Sequence, residues 1–294
     1  MPSITVGIPF YNCQDTLADA IRSVFAQTFQ DWQLVLVDDG SSDGSLQIAN
    51  SLSDSRVRVF SDGVNKGIGA RRKQMVDLAQ SEYIAWQDAD DLMHSDRLER
   101  QLAFLEANPG VHIVDCWCYL IDPDDNVTGL QRSDPAEPSL IEMVKRPLMI
   151  NGCSLARLEM YRAFQFDNSM RRTEDWDLWI RAIEHCSFAH LEQPLYYRRD
   201  LRSAEHSSIA YQLRELRFAR RLLLRHGPRV LGWAGTGKVL ARYYLRAITR
   251  SALFAARLRN LVGESRRSVI TPEEAAEGDT GIQRIKGTIV AGLS

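Results

Sequence analysis

The chain has 294 residues, 45% hydrophobic and 25% charged, which is ordinary for a globular protein and enough for one large α/β domain or a domain with an appendage. The formal net charge of −2 hides an asymmetry: residues 211–267 hold fourteen Arg/Lys against two acids, a net +12, while residues 1–210 carry a net −12. No uninterrupted apolar run approaches the roughly 20 residues of a membrane span, and the opening MPSITVGIPFYN has neither the basic nor the apolar region of a secretory signal.

In chain order, residues 3–9 (SITVGIP) form a β-branched strand and FYN a turn. Residues 15–27 carry apolar positions at 17, 20, 21, 24 and 25, a helical stripe with Asp15 or Thr16 as its cap. QLVLVDD (33–39) is a second buried strand, residues 45–53 a helix, and RVRVFS (56–61) a third strand. Residues 68–80 are helical, and YIAWQD is a fourth strand. This βαβαβαβ alternation predicts an open, mostly parallel sheet flanked by helices, with ligands beyond the carboxyl ends of its strands. Further on, residues 96–108, 154–163 and 175–186 are expected helices, and 111–122 and 194–199 expected strands. From about 209 to 262 the chain is helical, with breaks near Gly227-Pro228 and Gly232–Gly237, and the last residues are polar and weakly patterned. The five cysteines are odd in number and lack a CxxC pair, the pattern of reduced thiols in a cytosolic protein.

Carboxylates gather at the predicted strand ends. Asp38 and Asp39 close the second strand ahead of GSSDGS, where Asp39 either belongs to a helix-capped loop or accepts hydrogen bonds from a base or sugar. Asp88, Asp90 and Asp91 close the fourth. Three acids before a helix suit either a solvated, dipole-stabilised helix start or a Mg²⁺ or Mn²⁺ site of hard oxygen ligands.

The ordered set VGIPFYN, VLVDDGSSDGS, NKGIGARR, EYIAWQDADD and TEDWDLWIR resembles glycosyltransferase family 2, over about residues 3–205. The resemblance implies a GT-A (Rossmann-like) fold and transfer of a sugar, with inversion, from a nucleotide-sugar donor to a hydroxyl, aided by Mn²⁺ or Mg²⁺. It places Pro9 and Tyr11 at the nucleobase and assigns Asp39 to reading that base, typically uracil. Asn65, Lys66, Gly67 and Arg71 fall near the nucleotide. Asp88-Ala89-Asp90 matches the DxD motif: Asp90 binds the metal, Asp88 the ribose or sugar, and Asp91 supports the metal shell. Asp175 matches the catalytic base of the ED motif, with Glu174 its alternate; Gly152, Cys153 and Trp176 fall on the acceptor side. Members often carry a metal- or diphosphate-binding His soon after a YR strand end. Here the text is YYRRDLRSAEHSS, so Asp200 stands nearest and His206 follows six residues later.

The implied organisation is a nucleotide-sugar-binding half (1–100), an acceptor-binding half (101–208), a basic helical region (209–267) and a flexible tail (268–294). GWAGTGKV (232–239) nearly spells a phosphate-binding P-loop but ends in Val239 where a hydroxyl is needed, and it is expected to be a glycine-rich break between helices. Basic residues at 238, 242, 246 and 250 make an amphipathic helix suited to an inner-membrane surface. Nucleic acid is the lesser candidate, because no recognised binding module accompanies the charge. The expectation is a cytoplasmic transferase, peripheral on the inner face of the membrane, that builds surface polysaccharide or glycolipid from a UDP-sugar and a saccharide or lipid-linked acceptor. The alternative is a catalytically silent nucleotide-sugar or membrane-binding protein of the same fold.

Overall fold

The computed structural model describes residues 1–132, 139–199, 209–255, 267–268 and 270–293. Strands β1 (Ile4–Phe10) and β2 (Trp32–Asp38) are buried along their whole length. That is why both read as near-continuous apolar runs: central strands of a parallel sheet are covered on both faces. Alternate residues of β2 enter opposite cores, Val35 and Val37 one, Leu34 and Leu36 the other. Helix α1 (Leu17–Phe25) lays Leu17, Ala20, Ile21 and Val24 against the sheet. Then follow α2 (Ser45–Asn50), β3 (Val57–Phe60), α3 (Ile68–Leu78) and β4 (Tyr83–Trp86). β1 pairs in parallel with β2 and β4, and β2 with β3, so the ends of β1, β2 and β4 open on one edge.

The sheet continues beyond β4, but as a mixed one. β5 (Leu92–Met93), α4 (Arg97–Ala107), β6 (Val111–Ile121), β7 (Val127–Gln131) and α5 (Leu140–Lys145) precede a 3₁₀ turn at Asn151–Cys153. β8 (Leu155–Arg157), α6 (Leu158–Ala163), α7 (Glu174–Ala182) and β9 (Ser187–Arg199) follow. β8 lies antiparallel between β4 and β6, β7 is antiparallel to β6, and β9 runs parallel to β6. The helix expected over 154–163 therefore starts only at Leu158. Leu155 and Ala156 are fully buried between β4 and β6 and serve to continue the sheet.

Helix α8 (Ile209–Ala255) packs on α5 and α7, with Leu222, Leu223 and Val239 in the shared core. Its break is at Gly232 (φ 67°, ψ 168°), a conformation nearly confined to glycine, whereas Pro228 stays inside the helix. Residues 272–286, expected within a flexible tail, instead form α9 (Pro272–Lys286), started by a capping box between Thr271 and Glu274. Two apolar residues three apart, Ile282 and Ile285, pack it on Tyr119 and Tyr197. A two-residue strand, β10 (Arg267–Ser268), pairs antiparallel with β7. Among the described residues, no helix is long and apolar enough to cross a membrane.

Candidate active site

The site is built where β1, β2 and β4 end. Pro9 is a buried β1 residue opposite Val37, and Tyr11, one turn on, is exposed. Asp39 follows β2 and is only 6% exposed. Its carboxylate accepts from the backbone N–H groups of Lys66 (2.7 Å) and Gly67 (3.0 Å) and from Arg71 Nε at 2.8 Å. Arg71, 1% exposed, also reaches Asp62 at 2.6 Å. The acid, the α3 N-terminus and the loop carrying the exposed Asn65 and Lys66 thus form one unit.

The next residue on α3 completes the site. Arg72 is buried and joins two segments far apart in sequence: its guanidinium donates to Asp88 Oδ1 (3.2 Å) and Glu174 Oε1 (3.0 Å). Its face also lies over the Trp86 ring at 5.9 Å. Arg72 Nε and Glu174 Oε2 are buried without a hydrogen-bond partner among the described residues. Burial, with Asp175 alongside, raises the Glu174 carboxyl to about 7 despite Arg72. Burial also raises Asp175, against the opposing pull of Arg72 and the Trp176 N–H. Asp175 is half-buried and accepts from that N–H at 2.7 Å, whereas Glu174 is 4% exposed.

The three acids after β4 have different surroundings. Asp88 is one-third exposed and held by Arg72. Asp90 is half-buried, and its carboxylate has no side-chain hydrogen-bond or ion-pair partner among the described residues; burial first and Asp88 second raise its pKa, against its own backbone N–H and the pull of Arg199. It stands near the β1 end, where burial first, then Asp43 and Asp90, push the Cys13 thiol up to about 11. Asp91 is buried, accepts from the Arg199 N–H at 2.7 Å, and is pushed well above the usual carboxylate range by burial and by Asp90. Arg199 Nε donates in turn to the Asp90 carbonyl at 3.0 Å, so the end of β9 fixes this turn. Among the described residues no cluster of three metal-binding side chains occurs, and His206 and Asp200 lie outside them.

Three expectations on the acceptor side are revised by burial. The Cys153 side chain is fully buried among Cys116, Cys118 and Tyr196, so it cannot meet an acceptor. Gly152 is pressed under the site: a Cβ there would lie 2.5 Å from Asp88 Oδ2 and 2.8 Å from the Tyr196 hydroxyl. Its role is to let Asp88 settle on the backbone. Trp176 is 5% exposed, donates from Nε1 to the Met143 carbonyl and stacks on Tyr243, so it chiefly anchors α5 and α8. The near P-loop is also settled: residues 233–239 are helical, and Thr236 Oγ1 donates to the Gly232 carbonyl.

Arg72, Arg199 and Tyr196 are site-building residues that sequence reasoning missed. The doubled arginine of NKGIGARR was the one available signal, because adjacent helical residues point about 100° apart and serve two neighbours.

This sheet order, with carboxylates at its strand ends, is that of the GT-A fold. The crystal structure of S. aureus TarS 1–349 in complex with UDP-GlcNAc matches 99% of this chain and 82% of its own at TM-score 0.61 and 17% identity. Mannosyltransferase PcManGT from Pyrobaculum calidifontis, in complex with GDP-Man and Mn²⁺, matches 96% of this chain and 80% of its own, also at 0.61, with 18% identity. The chain belongs to glycosyltransferase family 2: the model of that family, Glycosyl transferase family 2, matches residues 5–199. Among curated relatives, the putative glycosyltransferase EpsE of Bacillus subtilis is 34% identical over 220 residues, 72% of this chain and 78% of EpsE. The Escherichia coli UDP-Glc:alpha-D-GlcNAc-diphosphoundecaprenol beta-1,3-glucosyltransferase WfaP is 27% identical over 183 residues, 62% of this chain and 71% of WfaP.

Proposed function

We propose that this family member is an inverting, metal-dependent transferase that moves a sugar from a UDP-sugar to a hydroxyl of a saccharide or lipid-linked acceptor, in the synthesis of surface polysaccharide or glycolipid. The observation that carries the reading is the Asp88–Arg72–Glu174 bridge, which sets the acids after β4 against the acids that open α7. The name of WfaP, with its UDP-linked donor and diphospholipid-linked acceptor, supports the choice of substrates.

In this reading Pro9, Tyr11 and Asp39 receive the nucleoside, and Asp88 the ribose or donor sugar. The residues fit a divalent cation, because Asp90 offers a half-buried carboxylate without a side-chain partner among the described residues, and a diphosphate supplies further hard oxygens. Asp90 would hold the ion, with Asp91 and His206 as the further candidates and Asp91 turned mainly toward β9. Bound there, Mn²⁺ or Mg²⁺ would neutralise charge on the departing diphosphate. Asp175 takes the proton of the acceptor hydroxyl while its oxygen bonds to C1 and the C1–diphosphate bond breaks. One displacement with one base inverts the anomeric centre, without the second carboxylate nucleophile that retaining glycosidases use. Glu174, locked on Arg72, positions the helix start.

The test is UDP release from UDP-sugars with Mn²⁺, with and without acceptor. Asp175→Asn should lower kcat by roughly 10²–10⁴-fold and leave the Kd for the UDP-sugar close to wild type. Turnover near wild type would reject the base assignment. No release by the wild-type enzyme from any UDP-sugar would reject the donor.

A further inference from the structure

Beside the start of α7, between that helix and α8, lies a cavity of about 480 Å³, a volume within the range of small-molecule sites. Thr173 lines it, immediately before Glu174 and Asp175 in the chain. Its lining combines two chemistries. Trp176, Tyr211 and Tyr243 supply aromatic surface, with Trp176 and Tyr243 stacked at 6.2 Å. Arg146, Arg172 and Arg246 supply three guanidinium groups, against Glu215 as the one carboxylate of the described lining. Arg172 is preset: its backbone sits at φ 61°, its Nε lies 2.8 Å from Glu215, and its guanidinium rests 5.7 Å from the Tyr211 ring centroid. A non-glycine residue in the left-handed region costs free energy and persists where the surroundings hold it. Here it stands two residues before Glu174.

Arginine forks bind phosphate oxygens in pairs, and amphipathic rings offer a flat face with a polar edge. We propose that this cavity is the acceptor subsite, and that the acceptor it takes is a phosphorylated glycoside: sugar against Tyr211 and Tyr243, phosphate or diphosphate on Arg172 and Arg246. The assignment rests on the transferase reading, since it supplies the hydroxyl that Asp175 would deprotonate. The phosphate belongs either to a lipid diphosphate or to a soluble sugar phosphate, and both present the same group.

Equilibrium binding without donor or metal tests the site independently of turnover. The probes are a hexose 1-phosphate, an alkyl-diphosphate hexoside and the neutral alkyl hexoside of the same sugar, followed by calorimetry on the full chain. The phosphorylated probes should bind at least tenfold tighter than the neutral one. Arg172→Gln/Arg246→Gln should erase that difference, and so should Arg246→Glu alone, which alters one exposed side chain and guards against misfolding of the double variant. Binding of UDP-sugar by the Arg246→Glu variant should match wild type. A tighter alkyl diphosphate points to a lipid source and equal phosphorylated probes to a soluble one; either supports the site. Equal binding of neutral and phosphorylated probes, or variants with unchanged preference, would overturn it. Absence of transfer with this preference intact would instead count against the transferase reading alone.

Discussion

Arg71 and Arg72 are consecutive, yet each completes a different part of the site. Arg71 fixes Asp39 to the loop before α3, and Arg72 ties Asp88 to Glu174. Removing one partner of a buried pair leaves the other charge uncompensated and costs about 3–5 kcal/mol. Arg72→Met should therefore lower unfolding stability by about that amount at pH 8, and by less at pH 6. The sign follows from Glu174, whose folded pKa of about 7 is raised by burial first and by Asp175 second. The folded state keeps a proton that the unfolded state has lost, so this group's contribution to stability falls as pH rises from about 4 toward that value. Without Arg72 the deprotonated form is costlier still. Denaturant unfolding at the two pH values checks this; a loss that does not grow with pH would refute it. Activity reads the same arginine through Asp175, which burial raises and Arg72 lowers. The acid limb of kcat/KM should lie above the ordinary aspartate range and move higher in Arg72→Met. The strand-end acids were legible in the sequence because each closes an apolar run. Arg72 was not, because identical neighbours differ only in the direction their side chains leave the helix.

At the scale of elements, period and burial decide what can be read. β1, β2 and β4 are apolar runs between helical stripes, and they appear where the pattern puts them. β8 is too short to show a period, and its residues lead straight into α6, so the whole stretch looked helical. β7 follows a polar turn and is too short to show a period, though Leu130 is buried on α9's side of the sheet. Of the two breaks expected in α8, the one at Gly232 occurs and the one at Gly227-Pro228 does not. Pro228 stays within the helix, while Gly232 redirects the chain and brings Tyr243 to the Lys145 carbonyl at 3.2 Å. Gly232→Ala forces a Cβ into a conformation that costs about 1–3 kcal/mol. Thermal and denaturant unfolding should show that loss, with an m-value unchanged if the kink survives. A variant as stable as wild type would mean that the kink is not set by Gly232. The loss should be accompanied by altered Trp176 fluorescence, since Tyr243 stacks on that ring.

Across the whole molecule, charge is segregated along the chain. The second arm of α8 turns Val239, Tyr243 and Ala247, spaced by four, toward the domain. Its outer face carries exposed Lys238 and Arg242 together with Leu245, 63% exposed, and Ile248, 65% exposed; Trp233 at the kink is 73% exposed. Large apolar side chains beside lysine and arginine on one helix face suit a helix lying in the headgroup layer, which uses both. The acidic part of the chain, residues 1–210 at −12, would be repelled by an anionic leaflet while residues 211–267 at +12 are drawn to it. On such a leaflet one orientation would result, with α8 inward and the cavity between α7 and α8 close to the lipid. The amphipathic period of α8 was readable from sequence, but which arm stays uncovered depends on the Gly232 kink and on α5 and α7. The prediction is binding to vesicles of mixed anionic lipid, weakened by salt within the range of Debye screening. Each basic residue at the surface contributes about 1 kcal/mol, so Lys238→Gln/Arg242→Gln should weaken partitioning by about thirtyfold. Leu245→Ser/Ile248→Ser should weaken it on neutral and anionic vesicles alike, because that contribution is apolar area and not charge. Co-sedimentation at low and high salt separates the two terms. Wild-type protein that ignores anionic vesicles at low salt would remove the membrane from this picture and leave the outer face of α8 for another partner.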